Sequence, residues 1–165
     1  MIIRYCCCWL IWIWQANCYP GLAMQVLTKY FGALECADDS LIEFPYGLPA
    51  FENEHQFALI ENKAPSGILL LQSTSTIELC FLAIPVTHLR PEYELNLSEE
   101  DCKVIAGEFE TADSAMLLIC GLITLREGAN PTANLAAPLV INREKRLALQ
   151  VIRMDPLYSH QHPIC

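Results

Sequence analysis

Three side chains near the C-terminus, His160, His162 and Cys165, are of the types that ligate zinc and stand close together in the chain. A closed zinc site needs a further ligand, and none is apparent nearby. The cluster also borders Pro163 in a terminal stretch, where chains are ordinarily loose. A polar tail is therefore expected, with no metal and no other cofactor. Neighbouring carboxylates at Asp38-Asp39, at Glu52 and Glu54, and at Glu99-Glu100-Asp101 could do acid–base work only if burial raised one pKa. All three groups lie in polar, turn-like sequence, which predicts solvated faces. Neither a G-x-S-x-G elbow nor a glycine-rich phosphate loop occurs. Ser73 and Ser75 read as a strand end and a turn, and the lone His55 and His88 as surface or packing residues. No enzymatic centre is expected. The alternative is a small β-barrel ligand-binding protein or enzyme with an acidic site in its mouth.

The elements that would position these groups are short and β-like. Apolar, strand-favouring segments occur at 26–31, 42–44, 57–60, 68–72, 79–84, 116–125, 138–141 and 147–152, separated by turn residues such as Pro45-Tyr46-Gly47-Leu48-Pro49. That spacing predicts an all-β fold, a small antiparallel β-barrel or sandwich-like single domain. One stretch differs. Ser98 is an N-cap residue followed by Glu99, Glu100 and Asp101 in a first turn, then Val104 and Ile105, with Gly107 as a stop. A short surface helix is predicted there. Pro85, Pro91, Pro131 and Pro138 are expected at strand ends, edges or connections, because proline cannot donate to a central ladder.

Charge narrows the function classes. The chain carries 19 acidic against 10 basic residues, a net charge of −9. Such a field repels phosphate backbones and anionic lipid heads, so neither direct nucleic-acid binding nor a membrane is expected. It favours encounter with basic partners. Cysteines Cys36, Cys80, Cys102, Cys120 and Cys165 are scattered and form no C-x-x-C pair. Cys80 and Cys120 fall in apolar runs, where a free thiol behaves as a small hydrophobe, and a reducing cytoplasm fits them best.

Residues 1–23 are a different kind of sequence. They hold all three Trp, four of the nine Cys and one charge, Arg4. The apolar run is too short and too interrupted to span a membrane, which takes ~20 residues. Gly21-Leu22-Ala23 resembles a small-residue cleavage site, but a Cys- and Trp-rich apolar region is unlike a signal peptide. The reading adopted is a non-domain extension ahead of a start at Met24, with a single domain over 24–165. Without Arg4 that body has 9 basic and 19 acidic residues, a net charge of −10.

Two stretches stand out together, Ile42-Glu43-Phe44-Pro45-Tyr46-Gly47-Leu48-Pro49-Ala50-Phe51-Glu52 and Thr132-Ala133-Asn134-Leu135-Ala136-Ala137-Pro138-Leu139-Val140-Ile141-Asn142. Both resemble motifs of the FliW family of flagellar assembly factors. So do Leu71-Gln72-Ser73, Phe81-Leu82-Ala83-Ile84-Pro85 and Arg146-Leu147-Ala148-Leu149-Gln150-Val151, in the same order, followed by Tyr158 and His162-Pro163-Ile164. The resemblance runs from Met24 to the C-terminus. Two departures are Ala50, where the family commonly has Gly, and His162, where Arg is common. The resemblance implies a cytoplasmic, non-enzymatic protein, expected as a monomer, that binds flagellin and the translational regulator CsrA, a small basic RNA-binding dimer that represses flagellin synthesis. Among motif residues, Gly47 and Pro49 are expected to make a turn. Phe44, Phe51, Leu135, Leu139, Ile141 and Val151 are expected in the core. The polar ones, Glu43, Glu52, Gln72, Ser73, Glu78, Asn134 and Asn142, are the candidate partner-binding residues, with Asn134 and Asn142 also suited to satisfying backbone groups at strand ends. Glu43, Glu52 and Glu78 are the sharper candidates for a basic partner.

Overall fold

Alternation of apolar and polar residues extends the chain wherever turn residues bracket a short run, and the computed structural model follows that rule from Met24 onward. It describes residues 24–29, 31–61, 63–64, 67–106, 117–152 and 157–164. The expectations for residues 1–23, for Gly107 as a helix stop, for Met116 as a strand start and for Cys165 lie outside the described residues. The order is β1 (Met24–Thr28), β2 (Gly32–Cys36), β3 (Leu41–Glu43), β4 (Gln56–Ile60), β5 (Leu69–Ser73), β6 (Cys80–Pro85), α1 (Glu99–Ala106), β7 (Leu117–Thr124), β8 (Thr132–Asn142), β9 (Leu147–Gln150) and β10 (His162–Pro163).

Strands β3 to β9 pair with their sequence neighbours in antiparallel fashion, and β9 then returns to β3. That last pairing is parallel, Glu43 opposite Leu147, with the Glu43 N–H donating to the Arg146 carbonyl at 2.8 Å. Seven strands thereby close into a barrel and leave no long edge open. The fold is all-β with a short helix, and within the expected pair of architectures it is the barrel. The antiparallel expectation holds for every barrel pairing except β3 with β9. Strand β10 adds to β8, and β1 with β2 forms a separate hairpin.

Side chains of one parity fill the barrel. Ile42, Phe44, Leu48, Phe57, Leu71, Leu139 and Ile141 are almost wholly buried in one cluster, so the two signature stretches meet inside the barrel. Phe44 and Phe57 touch edge to face at 5.2 Å, a geometry worth ~0.5–1.5 kcal/mol beyond the area buried. Side chains of the other parity are covered from outside. The β1–β2 hairpin lays Val26 and Cys36 over Ala58, Ile60 and Leu70. Helix α1 lays Ile105 and Ala106 over Val140 and Leu149. Strands β5 and β8 are thus buried on both faces, which is why β5 opens as an unbroken apolar run.

Helix α1 starts as its sequence predicts. Ser98 Oγ accepts the Asp101 N–H at 3.0 Å, and Asp101 Oδ2 accepts from the Ser98 hydroxyl at 2.8 Å and its N–H at 3.3 Å.

Three expectations are corrected. The single strand expected over 26–31 is a hairpin: Thr28 Oγ1 accepts the Phe31 N–H and donates to the Gly32 carbonyl, both at 2.9 Å, and turns the chain back. Pro138 lies inside β8, a barrel strand that begins six residues earlier than expected, at Thr132. Cys120 pairs with Leu139 and Leu122 with Asn134, so Gly121 alone stands opposite Leu135, Ala136, Ala137 and Pro138. In that bulge the β7 ladder asks no N–H of Pro138. Its carbonyl still accepts from Val151 N–H at 2.9 Å. The third correction is Phe51, expected in the core but 38% exposed.

Candidate functional site

At one end of the barrel the chain leaves β3, enters β4, leaves β5 and enters β6, so loop 44–55 and turn 74–79 lie side by side. The loop is rigid for local reasons. Gly47 turns it with φ of 66° and its N–H on the Phe44 carbonyl, Leu48 and Phe51 form a bridge, and Phe44 N–H reaches the His55 carbonyl at 2.7 Å. Tyr46, within this turn, is 71% exposed. Phe51 packs edge-to-face with Phe81 at 5.3 Å and keeps part of its surface in solvent. Ile77 on the adjacent turn is exposed as well.

The structure separates the candidate polar residues into two groups. Glu43, Glu52 and Glu78 are exposed and stand on β3, the loop and the turn of this end. Gln72 and Ser73 are turned into the fold and buried. Gln72 Nε2 donates among the carbonyls of Ser73, Thr76, Ile77 and Leu79 at 3.0 to 3.3 Å, so the turn is wound around it. Asn142 Oδ1 accepts the Lys145 N–H, and its Nδ2 donates to the Ile105 carbonyl, joining β8 to the last turn of α1. Asn134 Oδ1 accepts the Ala137 N–H at 2.9 Å and holds the β8 bulge, with His160 Nδ1 beside it at 3.3 Å.

Glu54, expected on a solvated face, instead bonds within the fold. Its carboxylate takes the hydroxyls of Ser73 and Ser75, each at 2.6 Å, and that of Thr76, tying the loop to the turn. The run Ser73-Thr74-Ser75-Thr76 was the available signal, since clustered hydroxyls need an acceptor. These bonds, Ser73 first, hold the Glu54 pKa below its ordinary 4.5, opposite to the shift a general acid requires. A depressed folded value gives stability that is complete above 4.5 and is lost as pH falls through the folded value. Glu54→Gln should therefore lower the urea midpoint near neutral pH and lose less than wild type between about pH 7 and about pH 3. Parallel losses would remove this role.

The Glu52 pKa is likewise lowered, by its own backbone N–H and that of Ala50, which donates to Oε1 at 2.9 Å. Among the described residues no three His, Cys, Asp or Glu side chains converge as metal ligands.

Set beside known proteins, residues 25–164 match the family profile described as "FliW protein". The chain belongs to the FliW family. A relative from Desulfitobacterium hafniense, described as flagellar assembly factor FliW, is 35% identical over 86% of this chain and 91% of its own length. The protein of the same description from Bacillus subtilis is 29% identical over 86% of this chain and 96% of its own. A solved structure titled "Crystal structure of the flagellar assembly factor FliW" superposes with a TM-score of 0.73 at 30% identity, covering 85% of this chain and 96% of that one. FliW proteins are assembly factors and generally non-enzymatic.

Against the FliW pattern, Ala50 is explained by geometry. Its φ is 70°, the left-handed region in which a Cβ costs ~1–2 kcal/mol. The Glu52 carboxylate on its N–H helps to hold it there. Ala50→Gly removes the steric cost but frees the unfolded chain, so a net gain of ~0.5–1 kcal/mol is expected in urea unfolding. A loss of stability would contradict it.

Three of the described thiols are held in the unreactive, protonated form. Cys36, Cys80 and Cys120 are unbridged, and burial raises the pKa of each, that of Cys120 to about 12, which keeps it protonated at neutral pH. At another place on the barrel, Glu61 and Arg143 form an ion pair between two clefts of about 290 and 260 Å3. Among the described residues no helix is long and apolar enough to cross a membrane.

Proposed function

We propose that this FliW-family chain acts in the cytoplasm as a monomeric binding protein for flagellin and for the regulator CsrA, and that it catalyses no reaction. By capturing CsrA it relieves repression of flagellin translation. When flagellin accumulates and occupies the binder, repression returns. Synthesis is thereby matched to assembly.

The observation that carries this reading is the composition of one end of the barrel. Exposed Phe51 and Ile77 lie on neighbouring segments with exposed Glu43, Glu52 and Glu78. Apolar surface rimmed by carboxylates suits a basic protein that brings its own apolar contacts. A body of net charge −10 would attract a basic RNA-binding dimer and, once docked, would repel approaching RNA. The same apolar side chains offer a landing for an amphipathic helix, the form taken by flagellin ends. A titration of the chain with purified CsrA across a salt series tests the reading. Binding should weaken steadily as ions screen the charges. Absence of binding at low salt would overturn the CsrA half, and failure to capture flagellin would overturn the other.

A further inference from the structure

Between loop 44–52, α1 and β9 lies a cleft of about 250 Å3, walled by Tyr46, Pro49, Glu52 and Asp101, with Leu149 and Gln150 from β9. Its chemistry is one-sided. Glu52 commits Oε1 to the Ala50 N–H, and Asp101 commits Oδ2 to the Ser98 cap. Gln150 spends its Nε2 on the Ala137 carbonyl. Among the described residues, Glu52 Oε2, Asp101 Oδ1 and Gln150 Oε1 have no hydrogen-bond partner and no basic side chain lines the cleft. Three residues that each keep an uncommitted acceptor oxygen, two of them carboxylates, therefore line one space with an exposed tyrosine. The fold itself fixes all three: the Ser98 N–H and hydroxyl donate to Asp101, the Ala50 N–H donates to Glu52, and the Ala137 carbonyl in the β8 bulge accepts from Gln150.

We infer that this cleft is a socket for an arginine side chain presented by a protein partner. A guanidinium has only donors, which suits a lining that offers uncommitted carboxylate and amide oxygens; its planar fork matches carboxylates, and its face stacks on a tyrosine ring. The space is below the ~300 Å3 at which small-molecule pockets begin, so it fits one side chain better than a metabolite. Leu149, nearly buried, gives an apolar floor for the methylene stem. The inference deepens the proposed function, on which it rests for the partner's identity and not for the chemistry of the cleft.

The test has two arms. In the first, the full chain labelled with 15N is titrated with N-acetyl-L-argininamide. Saturable amide shifts are expected at Tyr46 to Glu52, at Asp101 and at Leu149 and Gln150, and they should vanish in Tyr46→Ala and in Asp101→Asn, a change that keeps the oxygen capping Ser98. Shifts that are absent, or scattered over all acidic residues, overturn the socket. In the second arm, CsrA affinity should fall at least about tenfold in Tyr46→Ala and Asp101→Asn. It should change less than about twofold in Glu99→Gln, which removes the same charge from the same helix outside the cleft. If wild type binds CsrA and these variants bind it equally well, the socket does not serve that partner and the inference fails. If wild type does not bind CsrA at all, the proposed function fails, and the first arm alone decides the socket.

Discussion

Gly47→Ala should cost about 3 kcal/mol or more of folding stability, the largest effect expected of any single methyl group added to this chain. Two causes add. At φ of 66° an L side chain sits in the left-handed region, a cost of ~1–2 kcal/mol. A Cβ at Gly47 would also lie 2.7 Å from the Cα and the carbonyl oxygen of Glu52, and those are backbone atoms that cannot rotate away. Overpacking of that kind adds ~1–3 kcal/mol. Gly32 separates the two causes, because its φ is 69° but nothing lies within 4 Å of an added Cβ. Gly32→Ala should therefore cost only the conformational part, ~1 kcal/mol. In urea unfolding the midpoint of Gly47→Ala should fall about three times as far as that of Gly32→Ala at similar slope, with a loss in Tm on the order of 10 °C. Equal shifts would mean that loop 44–52 yields to the methyl group, and the rigidity ascribed to this end of the barrel would be wrong.

That rigidity marks the boundary between what residue pattern discloses and what it conceals. Strands β4 to β7 and β9 were legible because each is an apolar run bracketed by turn residues, and α1 because Ser98 and Asp101 cap it by side-chain chemistry that is local in sequence. Closure of the barrel was not, because it depends on a single parallel pairing between Glu43 and Leu147, residues far apart in the chain. The first half of β8 was missed because Ala133 to Ala137 lacks β-branched bulk and Pro138 argues against a ladder, an objection removed only by a bulge that Asn134, Gln150 and Tyr93 bridge with side chains. Polar motif residues misled in a related way. Gln72 and Ser73 look like contact residues, yet each folds back onto the turn that follows it, and nothing in the order of residues distinguishes a glutamine that winds its own turn from one that faces a partner. Conversely, Phe51 looks like core. Loop 44–55 sets it against Phe81 and leaves it partly in solvent, while Leu48 of the same loop is the side chain that joins the core.

Reversal of Glu43 and Glu78 together, as the double Glu43→Lys, Glu78→Lys variant, should weaken CsrA binding about 10- to 100-fold at low salt while leaving the fold intact. Both side chains are exposed and neither makes a hydrogen bond within the described residues, so folding loses no partner. The change raises the net charge of the chain by four units on one end of the barrel, where a basic partner would meet it. Charges at the rim of an interface act mainly on encounter, so the association rate should carry most of the loss. Screening should erase the difference, and wild type and variant should converge as ionic strength brings the Debye length well below ~10 Å. Phe51→Ala provides the opposite signature. An aromatic ring that docks in a partner's apolar surface is released slowly, so its truncation should raise the dissociation rate, and that change should persist at high salt. If the doubly reversed variant loses affinity through its dissociation rate, or keeps its deficit in high salt, the carboxylates act by direct contact and not by steering. If it binds as wild type does at low salt, CsrA does not approach this end of the barrel, and the negative charge of the body serves solubility alone.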